Sequence, residues 1–394
     1  MQGMESLKEK DSRFILNTYG ERELAFERGE GVYLWDVKGK RYLDFLSGIG
    51  VNILGYAHPR IIETIQRQAS KLTHTSNLYL IPNQIKLAEK LVRNSFPGKC
   101  FFCNSGAEAV EASLKFARKR GKGRFEVISL ENSFHGRTYG ALSLTGQTKY
   151  QKNFVPLLPG IKYTPINDFE KLKSKVTPQT CAIIIEPIQG EGGVNPCEER
   201  FLKAVREFTK EKDILLIFDE VQCGMGRTGR LFAYQHFGVE PDVLVLAKGL
   251  GGGLPIGAMV VREEIADTFQ PGDHASTFGG NPLSTAVACE VVDILTSGNF
   301  LEKVREKAVF LWELLEKLRG NMEGKIKKIK GIGFMVGIEI SGSAKKVRRK
   351  CEENGLLVGT AGENVVRLLP PLIVEKTHIE EAVKIIEESM KEVL

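Results

Sequence analysis

The chain lacks any long hydrophobic run, because no apolar stretch approaches the roughly 20 residues that span a bilayer. Its first ten residues are rich in charge and lack the apolar core of a signal peptide. We therefore expect a cytoplasmic protein that makes no membrane contact.

Cysteine is scarce, and the seven present form an odd number spread over 394 residues, which argues against a disulfide framework. Cys100 and Cys103 form a CxxC pair, but no second pair completes a zinc site. The net charge is only +6, and the basic run at 345–350 is most simply the solvated face of a helix. We therefore predict neither a metal site nor a nucleic-acid partner.

Two short apolar runs, Ile214–Phe218 and Val243–Ala247, give the clearest structural signal. Both are rich in branched residues and bounded by polar residues, which favours buried parallel strands. Asp219 follows the first run and Lys248 follows the second. Because ligands of open α/β sheets bind beyond the carboxyl ends of the strands, we expect this carboxylate and this amine to share one site.

A lysine after a buried strand can simply extend its amine to solvent. The functional alternative is a Schiff-base lysine, whose amine must be partly desolvated to act as a nucleophile. Asp219 would then pair with a pyridinium nitrogen, so that the ring of the cofactor acts as an electron sink. This hypothesis requires a phosphate site, a group that stacks on the ring and anchors for the substrate.

A phosphate site is predicted where the strand-like run Phe101–Cys103 turns into a helix at Ser105, Gly106 and Ala107. Free N–H groups and the positive end of the helix dipole bind phosphate there without a basic side chain. The alternative is an ordinary capped helix, with Ser105 as N-cap and Glu108 completing a capping box.

The predicted strand Phe125–Leu130 ends before Phe134 and Arg137. A loop phenylalanine could stack on a flat ring, and an arginine could bind a carboxylate through two parallel hydrogen bonds. Taken separately, each residue is equally consistent with packing or surface charge.

Glu186 and Glu191 follow the predicted strand Cys181–Ile185, so they too lie past the carboxyl end of a strand unless they are plain surface acids. Arg367 lies within an apolar strand pattern, Val365–Leu368, where an unpaired arginine would be costly. The arginine therefore needs a carboxylate partner from elsewhere in the chain.

A rival motif runs from Gly224 to Gly229 and matches the GxGxxG pattern of dinucleotide sites. Asp219 and Glu220 separate the strand from these glycines, and no acidic residue follows about 20 positions on after a second strand. A nucleotide-dependent oxidoreductase is therefore the weaker hypothesis.

The remaining pattern predicts a second, smaller domain, since 394 residues with 42% hydrophobic content can bury more than one core. Beyond a long helix over Leu301–Leu318, the predicted elements are Gly333–Ile340, Ala344–Asn354, Val365–Leu368 and Thr377–Leu394. We assign residues 52–290 to a large cofactor-binding domain, and residues 1–51 with 291–394 to the small domain.

Six motifs together resemble the class III, or ω-amino, aminotransferases of the pyridoxal-phosphate fold type I superfamily, over essentially the whole chain. They are Asn104–Glu108, Phe134–Arg137, Glu186–Glu191, Asp219–Gln222, Lys248-Gly249 and Ser276–Gly280. The resemblance implies an α/β fold like that of aspartate aminotransferase. Its large domain would hold a mixed, mostly parallel sheet, and its smaller domain would be α+β.

The resemblance also implies pyridoxal 5'-phosphate as the cofactor, with Lys248 forming the Schiff base and Asp219 pairing with the ring nitrogen. The other cofactor-binding positions would be Ser105, Gly106 and Ala107 at the phosphate, Phe134 and Val221 on the ring faces, Gln222 at the phenolic oxygen, and also His135, Glu186 and Glu220. Thr277 would reach the phosphate of the neighbouring subunit, so the active unit would be a homodimer with shared sites.

For the substrates, the resemblance implies that Arg137 takes the distal carboxylate and that Arg367 takes the α-carboxylate of glutamate. Ser276 would be a further substrate-binding position. Glu191 would pair with Arg367 while the ω-amine is bound, which would supply the partner that a buried arginine needs.

Within the class, the chain is most similar to the acetylornithine aminotransferases of arginine biosynthesis. Thr75–Tyr79 and the compact length point that way, and Ser47–Gly50 lacks the tyrosine that ornithine aminotransferases have near this point. Ala107 and Val110 replace a more usual threonine and asparagine, but backbone contacts to phosphate survive these changes. Succinylornithine, N-succinyl-diaminopimelate, ornithine and 4-aminobutyrate remain alternative donors, and an aminomutase would need no separate acceptor.

Overall fold

A computed structural model describes residues 4–394, so residues 1–3 of the predicted small domain lie outside the described part. The α-helices are α1 Met4–Phe14, α2 Ser47–Gly50, α3 Pro59–Ala69, α4 Pro82–Asn94, α5 Gly106–Arg120, α6 Tyr139–Leu144, α7 Thr148–Gln151, α8 Phe169–Lys175, α9 Glu199–Glu211, α10 Pro282–Thr296, α11 Phe300–Asn321, α12 Ala344–Glu353 and α13 Lys376–Val393. The β-strands are β1 Phe26–Glu30, β2 Tyr33–Asp36, β3 Arg41–Asp44, β4 Gly98–Cys103, β5 Glu126–Leu130, β6 Ile161–Thr164, β7 Thr180–Ile185, β8 Ile188–Gln189, β9 Asn195–Pro196, β10 Leu215–Asp219, β11 Val243–Leu246, β12 Gly257–Arg262, β13 Ile326–Ile332, β14 Met335–Ile340, β15 Leu356–Leu357, β16 Gly359–Ala361 and β17 Val365–Leu368.

A seven-stranded sheet in the order β4-β12-β11-β10-β7-β5-β6 forms the centre of the fold. Only β12 runs against its neighbours, because it is antiparallel to β11 and β4 while the other pairs are parallel. Every residue of β7 is buried, as expected for a strand covered on both faces. The predicted mixed, mostly parallel sheet is confirmed.

The pairing of β10 with β11 fixes where the site lies. These adjacent strands are parallel, with Asp219 opposite Val245, so Lys248 follows three residues beyond that level. Both side chains therefore emerge at the carboxyl edge of the sheet. The two strands predicted around them are confirmed to within one residue at each end.

Two four-stranded sheets are built from the two ends of the chain. The sheet β1-β2-β3-β15 joins both ends through the parallel pairing of β3 with β15. The sheet β13-β14-β17-β16 holds Arg367 on β17, opposite Gly337 of β14. All strands of the seven-stranded sheet lie between residues 98 and 262, which agrees with the predicted domain division. That division stays a prediction.

The strand predicted over 333–340 was wrong in its extent. β14 begins only at Met335, after a turn in which Gly333 has φ +61°, and an unpredicted strand, β13, precedes it. A register shift between Ile326 and Lys328 breaks the two-residue alternation of β13, which hid the strand in the sequence. β1 was also missed, because its residues are mostly exposed and carry no apolar alternation.

Three further features concern the cysteines, the possible metal ligands and the hydropathy of the helices. All seven cysteines are free. Within residues 4–394, no cluster of histidine, cysteine and acidic side chains could hold a metal ion. No helix in this part of the chain combines the length and apolar character needed to cross a membrane.

Gly257, the first residue of β12, offers a test of how tightly the sheet packs on the turn before α5. A Cβ at this position would overlap the Ser105 carbonyl oxygen and lie 2.8 Å from Cys103 Sγ. We expect Gly257→Ala to lower the free energy of unfolding by about 1–3 kcal/mol, because an overpacked core must shift. Chemical denaturation measures this difference.

Gly320→Ala is the matched control, since a Cβ there meets nothing within 4 Å. Alanine in that helix should be neutral or stabilise it by up to about 1 kcal/mol. Equal losses in the two variants would contradict the steric account.

Candidate active site

A cavity of about 470 Å³ opens at the carboxyl ends of β10 and β11. Most of the predicted site residues line it, although they come from distant parts of the sequence. They are Ser105, Gly106, Ala107, Phe134, His135, Arg137, Glu186, Glu191, Asp219, Val221, Gln222 and Lys248.

Lys248 has φ +43°, a left-handed backbone conformation that non-glycine residues rarely adopt. Such strain persists where the surroundings fix a residue, and it clusters at functional sites. Burial lowers the pKa of the Lys248 amine, and Arg367 acts in the same direction, while Glu191, Asp219 and Glu186 oppose the shift. The amine is therefore more often neutral and nucleophilic than that of a surface lysine.

Asp219 is held from two sides. Its Oδ2 lies 2.7 Å from His135 Nδ1, and its Oδ1 accepts the Val221 N–H at 3.0 Å. Burial disfavours protonation of His135, but the hydrogen bond to Asp219 and the charges of Asp219 and Glu186 outweigh it and raise the pKa of His135. A carboxylate fixed in this way at the cavity wall is the group that a pyridinium nitrogen requires.

Glu186 supports the same corner of the cavity from β7. Its carboxylate accepts the Phe134 N–H at 2.8 Å and the Gly190 N–H at 3.2 Å. Burial, together with the charge of Asp219, raises the pKa of Glu186 to about 7, although His135 opposes the shift. Glu186 therefore fixes the loop that presents Phe134 to the cavity.

Helix α5 begins at the cavity wall. Ser105 Oγ accepts the Glu108 N–H at 3.2 Å, so the predicted N-cap is present. The cap leaves the N–H groups of Gly106 and Ala107 without an acceptor among residues 4–394, at the positive end of the helix dipole. A Cβ at Gly106 would lie 2.8 Å from both methyl groups of Val221, so glycine is required by this close approach.

Arg137 lies exposed at the cavity, and aromatic rings hold it in place. Its guanidinium carbon is 4.1 Å from the ring centroid of Tyr150 and 5.6 Å from that of Phe134. These cation–π contacts leave the edge of the guanidinium free for a carboxylate.

Arg367 is only 3% exposed, and its partner is the predicted one. Its Nη1 donates to Glu191 Oε1 at 2.5 Å and to Gln222 Oε1 at 3.2 Å. Burial opposes ionisation of Glu191, but Arg367 outweighs it and lowers the pKa of Glu191. The Nε–H of Arg367 has no hydrogen-bond acceptor among residues 4–394, so this donor of the guanidinium is unpaired.

The prediction for Glu220 is corrected by the structure. Its carboxylate accepts the N–H groups of Ala233 and Tyr234, both at 2.6 Å, and does not line the cavity. Neighbouring residues at the end of a strand point to opposite sides, so Asp219 and Glu220 cannot both face the ligand. Burial raises the pKa of Glu220 to about 8, and its role is to hold the segment after β10.

Three other predicted residues lie outside the cavity wall. Arg367 lies behind Glu191 and Gln222, which do line the cavity, and Ser276 and Thr277 lie on a separate segment. Thr277 is exposed on the surface. Ser276 Oγ lies 3.4 Å from Asn104 Nδ2, and Asn104 does line the cavity. Asn104 begins one of the six motifs, but the sequence alone assigns it no role. Tyr150 was missed, because no local sequence pattern marks it as a partner of Arg137.

The Gly224–Gly229 loop does not form a nucleotide site. No α-helix begins there in the described part of the chain; a short 3-10 turn over 233–236 follows instead. Gly226 is packed against Leu372 and Gly229 against Arg305. The loop therefore has no space for a pyrophosphate, and the oxidoreductase hypothesis loses its support.

The family whose sequence profile matches the chain is aminotransferase class-III, over residues 16–390. The chain belongs to the class III aminotransferases. The acetylornithine aminotransferase of Methanocaldococcus jannaschii is 48% identical over 388 residues, covering 97% of this chain and 97% of the relative. That of Aquifex aeolicus is 50% identical over 380 residues, covering 95% and 99%. The ornithine aminotransferase of Toxoplasma gondii ME49 superposes with a TM-score of 0.95 at 32% identity, covering 100% of this chain and 96% of that chain.

Class III aminotransferases depend on pyridoxal phosphate. The residues of this aminotransferase fit that group, because the cavity joins an enclosed amine at Lys248, a fixed carboxylate at Asp219 and two free N–H groups at the start of α5. Lys248 and Asp219 would hold the ring end, and Gly106 and Ala107 the phosphate.

The lowered pKa of Lys248 predicts the pH dependence of cofactor attachment. A Schiff base forms from the neutral amine, so in the cofactor-free aminotransferase its formation should reach half-maximal rate at a pH below the ordinary lysine value of 10.5. Stopped-flow absorbance after addition of pyridoxal phosphate measures this rate. The Lys248→Ala variant is the control, since its surface lysines should react only near pH ~10.4. Equal midpoints for the two proteins would show that burial does not tune Lys248.

Proposed function

We propose that this aminotransferase moves the side-chain amino group of N2-acetyl-L-ornithine to 2-oxoglutarate. The products are N-acetyl-L-glutamate 5-semialdehyde and L-glutamate, and the reaction belongs to arginine biosynthesis in the cytoplasm. The observation that carries the proposal is a pair of arginines of opposite state: Arg137 lies open at the cavity, and Arg367 lies behind the cavity wall, paired with the wall residues Glu191 and Gln222. The relatives named acetylornithine aminotransferase support this donor, because they share more sequence with the chain than the ornithine aminotransferase does.

Pyridoxal phosphate, when bound, supplies a ring that stabilises negative charge on the reacting carbon. Asp219, fixed by His135, holds the proton on the ring nitrogen. Lys248 Nζ takes the proton from the carbon that bears the substrate amine and would deliver it to the cofactor carbon that takes up the amino group, which is general acid–base work worth about 10²–10⁴-fold in rate. Phe134 and Val221 line the cavity and exclude water from that proton transfer.

The two arginines explain how one cavity accepts two different substrates. Arg137, at the exposed mouth, takes the carboxylate far from the reacting carbon in either substrate. Arg367 takes the α-carboxylate of glutamate, and it pairs with Glu191 when the donor offers none at that position. An exchange of partners keeps the buried guanidinium compensated at every stage, which matters because an uncompensated buried charge is strongly destabilising.

The part of the cavity wall where the donor would bind favours a substrate whose α-nitrogen is acylated. The turn Ser47–Gly50 is left-handed throughout, and it directs Ile49 outward, where 42% of this residue is exposed. Val51 and the apolar segment 254–256 line the cavity beside it. An uncharged acyl group suits such a wall better than a free ammonium group does.

We also propose a homodimer with shared sites. Leu78 and Leu80 are 86% and 85% exposed, and Phe278 beside Thr277 is 61% exposed. Asn77 joins the two segments, because its Nδ2 donates to the carbonyl oxygens of Ser276 and Gly279. Exposed apolar side chains on adjoining segments favour an interface with another chain, and such an interface would carry Thr277 towards the partner subunit. Light scattering should give twice the chain mass of 43.8 kDa; a single-chain mass would reject the shared site.

The proposed reaction predicts a spectral change in the holoenzyme. N-acetylornithine added without an acceptor should remove the visible absorbance of the lysine-bound cofactor, and 2-oxoglutarate should restore it. Ornithine, succinylornithine and 4-aminobutyrate serve as comparison donors. A yellow protein whose spectrum ignores N-acetylornithine but responds to another of these donors would reassign the substrate. Turnover without any need for 2-oxoglutarate would favour an aminomutase.

The Glu191→Gln variant tests the exchange of partners at Arg367. We expect the N-acetylornithine half-reaction to slow by about 10-fold or more, since a hydrogen bond to a charged group is worth about 1.5–3 kcal/mol. The glutamate half-reaction, in which the substrate replaces Glu191, should change by less than about 3-fold on the same scale. Single-turnover absorbance measures each half-reaction separately. Glu199→Gln, on an exposed helix face, is the control, and equal slowing of both half-reactions would disprove the exchange.

A further inference from the structure

The Gly224–Gly229 loop has no part in the chemistry described so far, yet it encloses the bulkiest fully buried side chain of residues 4–394, Arg227. Gly226 and Gly229 have φ +83° and +84°, and the Gly229 N–H donates to the Gly226 carbonyl at 2.9 Å. The glycines thus permit a tight loop that folds around Arg227. The conformation of this loop therefore explains the glycines of the GxGxxG pattern, and no nucleotide ligand is needed to explain them.

Arg227 contacts three separate segments of the chain. Its Nη1 donates to the carbonyl oxygens of Pro370 and, at 3.4 Å, of Phe334, while its Nη2 lies 3.4 Å from Ser47 Oγ. The Arg227 carbonyl accepts the Phe334 N–H at 3.0 Å. Ser47 Oγ in turn donates to the Leu369 carbonyl at 2.6 Å.

These contacts close one end of the strand pair that holds Arg367. In the register of β14 with β17, Val336 faces Leu368 and Gly337 faces Arg367. If this register continued, Met335 would face Leu369 and Phe334 would face Pro370, three residues from the level of Arg367. Arg227 therefore ties both strands together just beyond the site.

The segment that leads into this loop contacts Arg367 directly. Gln222 lies five residues before Arg227 and accepts a hydrogen bond from Arg367 Nη1 at 3.2 Å. Asp219, three residues earlier, anchors this segment to the central sheet. The continuous segment 219–227 thus joins three features: Asp219, whose carboxylate would pair with the cofactor, the guanidinium of Arg367, and the backbone of the strand pair that carries Arg367.

We propose that Arg227 is a positioning residue that fixes Arg367 relative to Gln222 and Asp219, and so sets the affinity for the α-carboxylate of the amino-group acceptor. The proposal rests on the role given above to Arg367. Arginine suits the task because its planar fork serves acceptors on several segments at once, which the point charge of lysine cannot do.

The charge of Arg227 has little local compensation. Burial lowers the pKa of Arg227 to about 9, and the carboxylate of Asp44 opposes this shift. Asp44 itself accepts the Tyr56 O–H at 2.6 Å and the N–H groups of Leu46 and Ser47. Two carbonyl oxygens and one hydroxyl therefore provide most of the stabilisation of the guanidinium. The position of the guanidinium is sensitive to substitution for this reason.

The test compares acceptor and donor binding in Arg227→Lys holoenzyme. The pyridoxal-phosphate form has no amino group to give, so 2-oxoglutarate binds it without reacting, and titration calorimetry gives a Kd. We expect that Kd to rise about 10–100-fold, because misplacement by about 1 Å costs up to about 10²-fold. The Kd and rate of the N-acetylornithine half-reaction should change less than the Kd of 2-oxoglutarate does, because that half-reaction needs Arg367 only as the partner of Glu191.

Arg305→Met is the matched control, since Arg305 Nη1 donates to Gly229 O on the same loop at 2.8 Å. It should leave the Kd of 2-oxoglutarate unchanged. If Arg227→Lys fails to fold, Arg227→Gln decides, because it removes the buried charge but keeps an N–H donor on a planar head group; it should also weaken 2-oxoglutarate selectively.

The outcomes separate this inference from the proposed function. Wild-type protein that neither binds 2-oxoglutarate nor reacts with N-acetylornithine would reject the function itself. If the wild-type protein does both, the variants decide the role of Arg227. Variants that weaken donor and acceptor equally, or that leave the Kd of 2-oxoglutarate unchanged, would overturn that role alone.

Discussion

The parallel pairing of β10 with β11 is the constraint on which the site depends. It delivers Asp219 and Lys248 to the same edge of the sheet, although 28 positions separate them along the chain. A shift of one residue in either strand would turn a side chain to the opposite face. The fully buried strands leave no room for such a shift, so the carboxylate and the amine meet in a fixed relation.

Burial then gives these groups their chemistry. The low dielectric of the cavity edge makes a lysine amine easier to deprotonate, and it makes a lone carboxylate costly unless donors surround it. Asp219 receives such donors from His135 and the Val221 N–H, and Glu186 receives them from the loop that carries Phe134. The same environment that activates the amine therefore also requires the network around it.

Arg367 and Arg227 show two solutions to the cost of a buried guanidinium. Arg367 has a carboxylate partner in Glu191, which the proposed function exchanges for a substrate carboxylate, while the Nε–H of both arginines is unpaired among residues 4–394. Arg227 has backbone carbonyls and a hydroxyl as partners, which bind it permanently. In the proposed exchange, Arg367 changes its carboxylate partner while Arg227 holds the two strands that carry Arg367.

The sequence by itself determined the strands around Asp219 and Lys248, the helix start at Ser105 and the need of Arg367 for a carboxylate. These follow from local apolar patterns, from capping and from the cost of burying a charge. The tertiary structure decided what no local pattern contains. Glu220 turns away from its neighbour Asp219, Tyr150 supports Arg137, and β13 pairs with β14 through a register shift. The tertiary structure also decided that the Gly224–Gly229 loop encloses an arginine and not a nucleotide. Contacts between distant segments depend on how the sheets pack, and a short stretch of sequence records its own periodicity but not the surface that it will meet.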